Sequence, residues 1–233
     1  MSASVLDAVV RRYVGAREIA PEADGVVRAM PVVLRIEREL PGRTALLEAA
    51  ARAALAVCVD PRAQPDGEWH DQVLTWVDGR IRKIARRARG AHWAAAQDLP
   101  GITVAVDGAE ARALLPGPVD DVPKAVSRLQ IGGTDLPVDE PGPPPAGAPV
   151  IWLNPTVAMT VGKAAAQVGH ASMIDAAVRG LVDVPAYAVR VPGRDRWAAL
   201  QGDVEAGAAV AVRDAGFTEV DPGTVTCVVT ASG

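Results

Sequence analysis

Along the last third of the chain, apolar and polar positions alternate between two periods, and each period predicts a different element. Val150–Leu153 ("VIWL") is a short continuous apolar run bounded by turn residues, which predicts a buried strand. From Gly162 to about Arg179 small and apolar residues recur at helical spacing, and Gly180 ends the pattern. Tyr187–Val191 alternates as a strand, and Arg194 to about Ala206 fits a helix with Trp197 and Leu200 facing inward. Ala208–Arg213 and the β-branched "TVTCVVT" of Thr224–Thr230 are two further strands. The order β-α-β-α-β-β predicts an α/β fold, a small mixed sheet with helices packed on it.

Upstream, Pro31–Arg38 reads as a strand, Thr44–Val59 as an Ala/Leu helix, and Trp69–Gln97 as largely helical. Ile102–Leu115 predicts a hairpin turning at Asp107-Gly108. Between the two regions lies "LPVDEPGPPPAGAP", 136–149, too rich in proline and glycine for helix or central strand. It predicts a semi-rigid linker between residues 1–135 and a domain over 150–233. The segment beginning "PVVLRIERELPGRTALLEAAA" has the outline of the one beginning "PVIWLNPTVAMTVGKAAAQ". Both run strand, loop, Gly-basic, small-residue helix, so that Gly42-Arg43 matches Gly162-Lys163 while Leu47 and Ala50 meet Gln167 and His170. One reading of residues 1–135 is therefore a degenerate copy of the second domain; another is a separate nucleic-acid grip.

Composition narrows the class. No run approaches the ~20 apolar residues of a membrane span, and the N-terminus has charges every few residues instead of the apolar core of a secretory signal. Two cysteines without metal or redox spacing fit a reduced, cytoplasmic setting, with no membrane partner expected. The net charge of -4 excludes a uniformly basic surface but not a local patch. Only Lys83, Lys124 and Lys163 among 24 basic residues are lysines, so each departs from the chain's habit of using arginine.

Three groupings could carry chemistry. Lys163 opens its helix directly after Gly162, where the field of the free amides disfavours an ammonium but favours an anionic ligand held by amides and lysine together. Gln167 and His170 follow at spacings of four and three, on the same helix face. In "VRDAGFTEVDPGTVT", Asp214 follows a strand end, Asp221-Pro222-Gly223 makes a tight turn, and Thr218 and Thr226 flank it within reach of Asp214. Finally, "RIRKIARRARG" places Arg80, Arg82, Lys83, Arg86, Arg87 and Arg89 on a segment read as a basic helix, followed by His92 and Trp93, a phosphate-contacting pattern. There is no phosphate-binding glycine loop, zinc spacing or nucleophile elbow.

"GKAAAQVGHA" (Gly162–Ala171) followed by "DAGFTEVDPGTVT" (Asp214–Thr226) resembles the type-2 peptidyl-tRNA hydrolase family, with its GK-x-AAQ-x-x-HA helix and DAG-x-T-x-x-x-PGT-x-T hairpin. The resemblance covers roughly Val150 to Val229. It implies a small α/β domain that hydrolyses the ester joining a peptide to the 3′ ribose of tRNA, with no metal or other cofactor. It also implies a homodimer, or an internal pseudo-dimer here. Lys163, Asp214 and Thr218 would be catalytic, and Gly162, Gln167, His170 and Thr226 substrate-binding. Arg80 to Arg89 would then grip tRNA, since residues 150–233 carry six basic against eight acidic side chains. The alternative from another class is a non-catalytic RNA-binding or regulatory protein on the same fold. Thr156 stands where the family has a loop aspartate, and "VVTASG" where it ends in Gly-Pro.

Overall fold

Ser4 and Asp7 cap each other reciprocally, side chain to amide at 3.2 Å both ways, and so start α1 (Val5–Tyr13). The structure, a computed structural model, describes residues 4–14, 22–213 and 223–231. After α1 come β1 (Arg28–Arg35), α2 (Arg43–Val59), α3 (His70–Asp78), β2 (Lys83–Ala88), α4 (Gly90–Gln97), β3 (Gly101–Val106), β4 (Ala109–Leu114), a two-residue β5 (Gly117–Pro118) and α5 (Lys124–Ser127). Beyond a stretch without helix or strand lie β6 (Val150–Leu153), α6 (Val161–Arg179), β7 (Ala188–Arg190), α7 (Arg194–Glu205), β8 (Val210–Arg213) and β9 (Val225–Thr230).

The class is mixed α/β, with two mixed sheets. In the first the order is β2-β1-β4-β3: β1 runs parallel to β2 and antiparallel to β4, and β3 is antiparallel to β4. In the second the order is β7-β6-β9-β8, with β6 parallel to β7 and antiparallel to β9, and β8 antiparallel to β9. Strand order, direction and connectivity are the same in both. The elements β1, α2, β2, α4, β3 and β4 stand where β6, α6, β7, α7, β8 and β9 stand, with α3 added to the first half.

One core runs through both halves. At its centre α2 and α6 lie against each other along small residues: the Ser172 hydroxyl donates to Ala51 O at 2.8 Å, and a Cβ at Gly169 would come 3.1 Å from Ala54 Cβ. Each central helix also reaches across to the other half's edge strand. From α2, Glu48 accepts the Val189 amide of β7 at 3.0 Å; from α6, Gly162 abuts Ala85 of β2. Period-2 alternation supplies the outer layers. Val33 turns away from the central helices toward Trp93 of α4, and Val228 away from them toward Trp197 and Leu200 of α7.

The second-half elements and the hairpin at Asp107-Gly108, both at positive φ, agree with the apolar pattern. The helix expected over Trp69–Gln97 does not form as such: it is α3, a strand and α4. Ile81, Lys83 and Ala85 are buried and the residues between them less so, a period of two that burial beside β1 enforces. "RIRKIARRARG" is therefore no basic helix. Among the described residues no helix is long and apolar enough to cross a membrane.

Candidate functional site

The start of α6 is held by two hydroxyls. Thr160 accepts the Lys163 amide at 3.2 Å as N-cap, and Thr134, from the first half, accepts the Gly162 amide at 3.1 Å. Gly162 is buried beneath this contact, while the half-buried Lys163 stands at the helix mouth. Four residues on, Gln167 is 4 % exposed, and its Oε1 accepts from the fully buried Thr226 hydroxyl at 2.6 Å. A β-bulge makes this bond. Val212 pairs with Cys227 but Arg213 pairs with Val225, so Thr226 is the extra residue of β9. The bulge turns Thr226 to the same side as Cys227, whose thiol donates to Gln167 O at 3.6 Å.

The loop after β6 closes on the same point. The Asn154 amide donates to Thr226 O at 2.9 Å and Asn154 Nδ2 to Val225 O at 2.7 Å. Asn154 Oδ1 accepts both the amide and the hydroxyl of Thr156, at 2.9 and 2.8 Å. Helix mouth, first loop and last strand are thus tied together through Asn154, Gln167 and Thr226. Asp214 and Thr218 lie outside the described residues.

His170 does not share that environment. It turns to the first half, where Lys83 Nζ lies 3.1 Å from its Nδ1, the amine as donor and a neutral imidazole as acceptor. Burial, followed by the charges of Lys83 and Lys163, holds the imidazole well below its usual range. Lys83 is 9 % exposed, also donates to Ile81 O at 3.4 Å, and is pulled down to about 7 by burial. Its side chain passes Gly169, where a Cβ would sit 2.9 Å from Lys83 Cδ. Burial raises the neighbouring Cys58 thiol to about 12, so it is an inert core group.

The basic segment is dispersed in the same way. Lys83 is in the core. Arg82 pairs with Glu22, Arg86 donates to Leu129 O at 3.0 Å, and Arg87 donates to Gly133 O at 2.7 Å. Arg80 lies just ahead of β2, and the exposed Arg89 precedes α4. These six do not form one cationic face. Their alternation puts Lys83 inward and Arg82 and Arg86 on the other side of the strand.

Helix spacing groups Lys163 with Gln167, and only the family resemblance adds Thr226; neither points to Asn154 or Thr134, and Lys83, expected on a tRNA-contacting face, instead lies in the core beside His170. Among the described residues no group of His, Cys, Asp or Glu could hold a metal ion. A buried carboxylate, Asp175, accepts from the Tyr187 hydroxyl at 2.7 Å and pairs with Arg179, which makes it a structural partner of β7's approach. The mouth of α6 thus places the half-buried Lys163 above a hydrogen-bonded polar floor of Gln167, Thr226 and Asn154, with the Gly162 and Lys163 amides taken up by Thr134 and Thr160. Comparison with protein-family models, curated proteins and solved structures finds no match.

Proposed function

We propose that the second half is a type-2 peptidyl-tRNA hydrolase-like domain and that the protein hydrolyses the ester of peptidyl-tRNA at the mouth of α6, without a cofactor. The observation that carries the reading is the bond between the two motif segments: Thr226, the bulged residue of β9, donates to Gln167 of the helix, 59 positions away, at 2.6 Å. In this reading Lys163, helped by the field of the α6 N-terminus, stabilises negative charge, either on the carbonyl oxygen of the attacked ester or on a phosphate of the tRNA acceptor end. Asp214 orients or deprotonates the attacking water and Thr218 holds it. Gln167 and Thr226, buried on each other, fix the floor. His170 braces α6 on the first half instead of touching substrate.

The first half is then a degenerate copy, and the chain an internal pseudo-dimer. The shared strand order supports this, as does the loss of the polar face: Arg43, Leu47 and Ala50 occupy the places of Lys163, Gln167 and His170, and Leu47 and Ala50 are fully buried. The deciding experiment is release of tRNA from an N-blocked aminoacyl-tRNA by the purified protein, with Lys163→Ala and Asp214→Ala alongside. Turnover lost at least ~100-fold in both variants supports the mechanism; turnover that survives both removes it. Thr156 in place of an acidic loop residue favours the second reading, a non-catalytic RNA-binding protein. Binding of tRNA without turnover in the parent protein would establish that one.

A further inference from the structure

The seam between the halves holds a lysine in a chain that otherwise favours arginine. Lys83 of β2 is 9 % exposed, and its stem lies against Gly169 of α6, where a Cβ would come 2.9 Å from Cδ and 3.0 Å from Cε. Among the described residues it makes no ion pair and two hydrogen bonds, to Ile81 O at 3.4 Å and to His170 Nδ1 at 3.1 Å. The Trp76 ring centroid, at 5.1 Å, is beyond hydrogen-bond reach. An ammonium carries three N–H donors and a neutral amine two. Two acceptors and no counter-ion therefore match the neutral amine, whose lone pair meets no donor among the described residues.

A desolvated neutral amine is a nucleophile. The groups that face it agree with that state. Cys58 of α2 is a neutral thiol raised to about 12, and α3 presents the Trp76 ring. From α6 comes His170, whose own protonation is opposed by Lys83 and Lys163. Burial pulls the Lys83 amine down to about 7, so near neutral pH much of it is free, against about one in a thousand of an ordinary lysine. The electrophile that suits this place is small and uncharged. The close packing of the stem on α6 excludes a sugar or a keto acid by size, and an anion would have to shed its water to enter. Carbon dioxide meets both conditions.

We propose that Lys83 is a carbon dioxide acceptor, its amine forming a carbamate with His170 as the proton acceptor. The Nζ lone pair forms the N–C bond, and one C=O electron pair moves onto oxygen. The N–H directed at His170 Nδ1 gives its proton to the imidazole. A carbamate anion and an imidazolium replace a neutral amine and a neutral imidazole. The net charge of the seam is unchanged, and neither new charge is left buried alone. His170 is half-buried, so the imidazolium keeps contact with water. This chemistry is independent of ester hydrolysis at the mouth of α6.

The test equilibrates the full-length protein with labelled bicarbonate and carbon dioxide at about pH 7.5, where an ordinary lysine is almost wholly protonated. The carbamate carbon is read by NMR, and the adduct is fixed by ethylation with triethyloxonium and located by peptide mass spectrometry. Lys124 and Lys163, the other two lysines, serve as internal controls. The carbamate is expected on Lys83 at an occupancy at least ~10-fold that on either control. Lys83→Met should abolish the NMR signal, and the joint Lys124→Arg, Lys163→Arg variant should keep it. His170→Gln, which accepts the hydrogen bond but takes up no proton, should lower occupancy roughly 10-fold. The parent measurement needs no variant to fold: absence of a carbamate on Lys83, or equal trapping on all three lysines, overturns the proposal. Full occupancy in His170→Gln overturns it as well.

Discussion

Replacing Lys83 by methionine tests the least economical feature of the fold. Lys83 sits in the core between α2, α3, α6 and β2, with His170 at 3.1 Å, the Trp76 ring at 5.1 Å and Cys58 near enough to be felt electrostatically. Among the described residues no ion pair neutralises it, and burial pulls it from 10.5 to about 7. A cation-π contact with Trp76 contributes about 0.5–2 kcal/mol toward the charged form. The displacement of the titration corresponds to roughly 5 kcal/mol against it, so desolvation wins. Between about pH 7 and the ordinary lysine range the unfolded chain therefore binds one proton more than the native one, and stability rises with pH. Integrated from about pH 6.5 to about pH 8.5, this single group contributes about 2 kcal/mol to that rise. Lys83→Met keeps the volume and the unbranched shape, forfeits about 1 kcal/mol for the His170 contact, and removes the desolvation cost. Urea denaturation at several pH values should show the variant more stable than the parent near neutral pH by about 1–3 kcal/mol. The gap should narrow as pH rises, because the parent's lysine loses its proton. A constant gap across the pH range would refute the reasoning, because it would mean that Lys83 keeps the same charge in the folded and unfolded states.

Three further outcomes follow from the same packing. Gly169→Ala puts a methyl 2.9 Å from Lys83 Cδ and 3.1 Å from Ala54 Cβ, and should cost about 1–3 kcal/mol by denaturant melt, less in a Lys83→Ala background, where one of the two obstacles is gone. Asp139→Ala removes the carboxylate that caps α2 and should cost about 1–2 kcal/mol, with hydrogen exchange faster at Thr44. Glu48→Ala leaves Arg190 without its partner at 2.9 Å and the buried Val189 amide without an acceptor; a loss of about 3–5 kcal/mol is expected in thermal or chemical melts.

Period revealed the second half because its strands are short and its elements well separated by glycine and proline, and because α6, buried on most sides, is a long run of small residues ended by Gly180. The same rule misread Trp69–Gln97. Arginines tolerate either period, and what makes Lys83–Ala88 a strand is its place beside β1, a long-range fact. The α1 helix announces itself through Ser4 and Asp7, a local signal that charge spacing at the N-terminus overshadowed. At the site, helix spacing put Lys163 and Gln167 on one face, a local property, while the contact of Gln167 with Thr226 joins distant segments that only the family resemblance had brought together. Helix spacing put His170 with them, yet the face of α6 is wide enough to serve two environments, and His170 meets the first half. The bulge at Thr226, the loop bonds of Asn154 and the approach of Thr134 depend on pairing between distant strands and on the path of the linker, which no local pattern encodes.

Joining two units of one topology in a single chain allows their two seams to diverge, which identical subunits cannot do. On the α2 side the contacts across halves include one ion pair, Glu48 with Arg190 at 2.9 Å, and an arginine on a carbonyl, Arg52 donating to Tyr187 O at 3.2 Å. On the α6 side they are a lysine against a histidine, a serine on a carbonyl and a threonine on one amide. The first seam is expected to lose several kcal/mol if either charge of the Glu48–Arg190 pair is removed. The second contains a buried amine whose protonation is opposed by its surroundings, and it lies along the helix that carries Lys163. The α6 side is held by hydroxyls and by an amine that burial pulls down to about 7, and it is there that changes in pH or in a single hydroxyl are expected to be felt first.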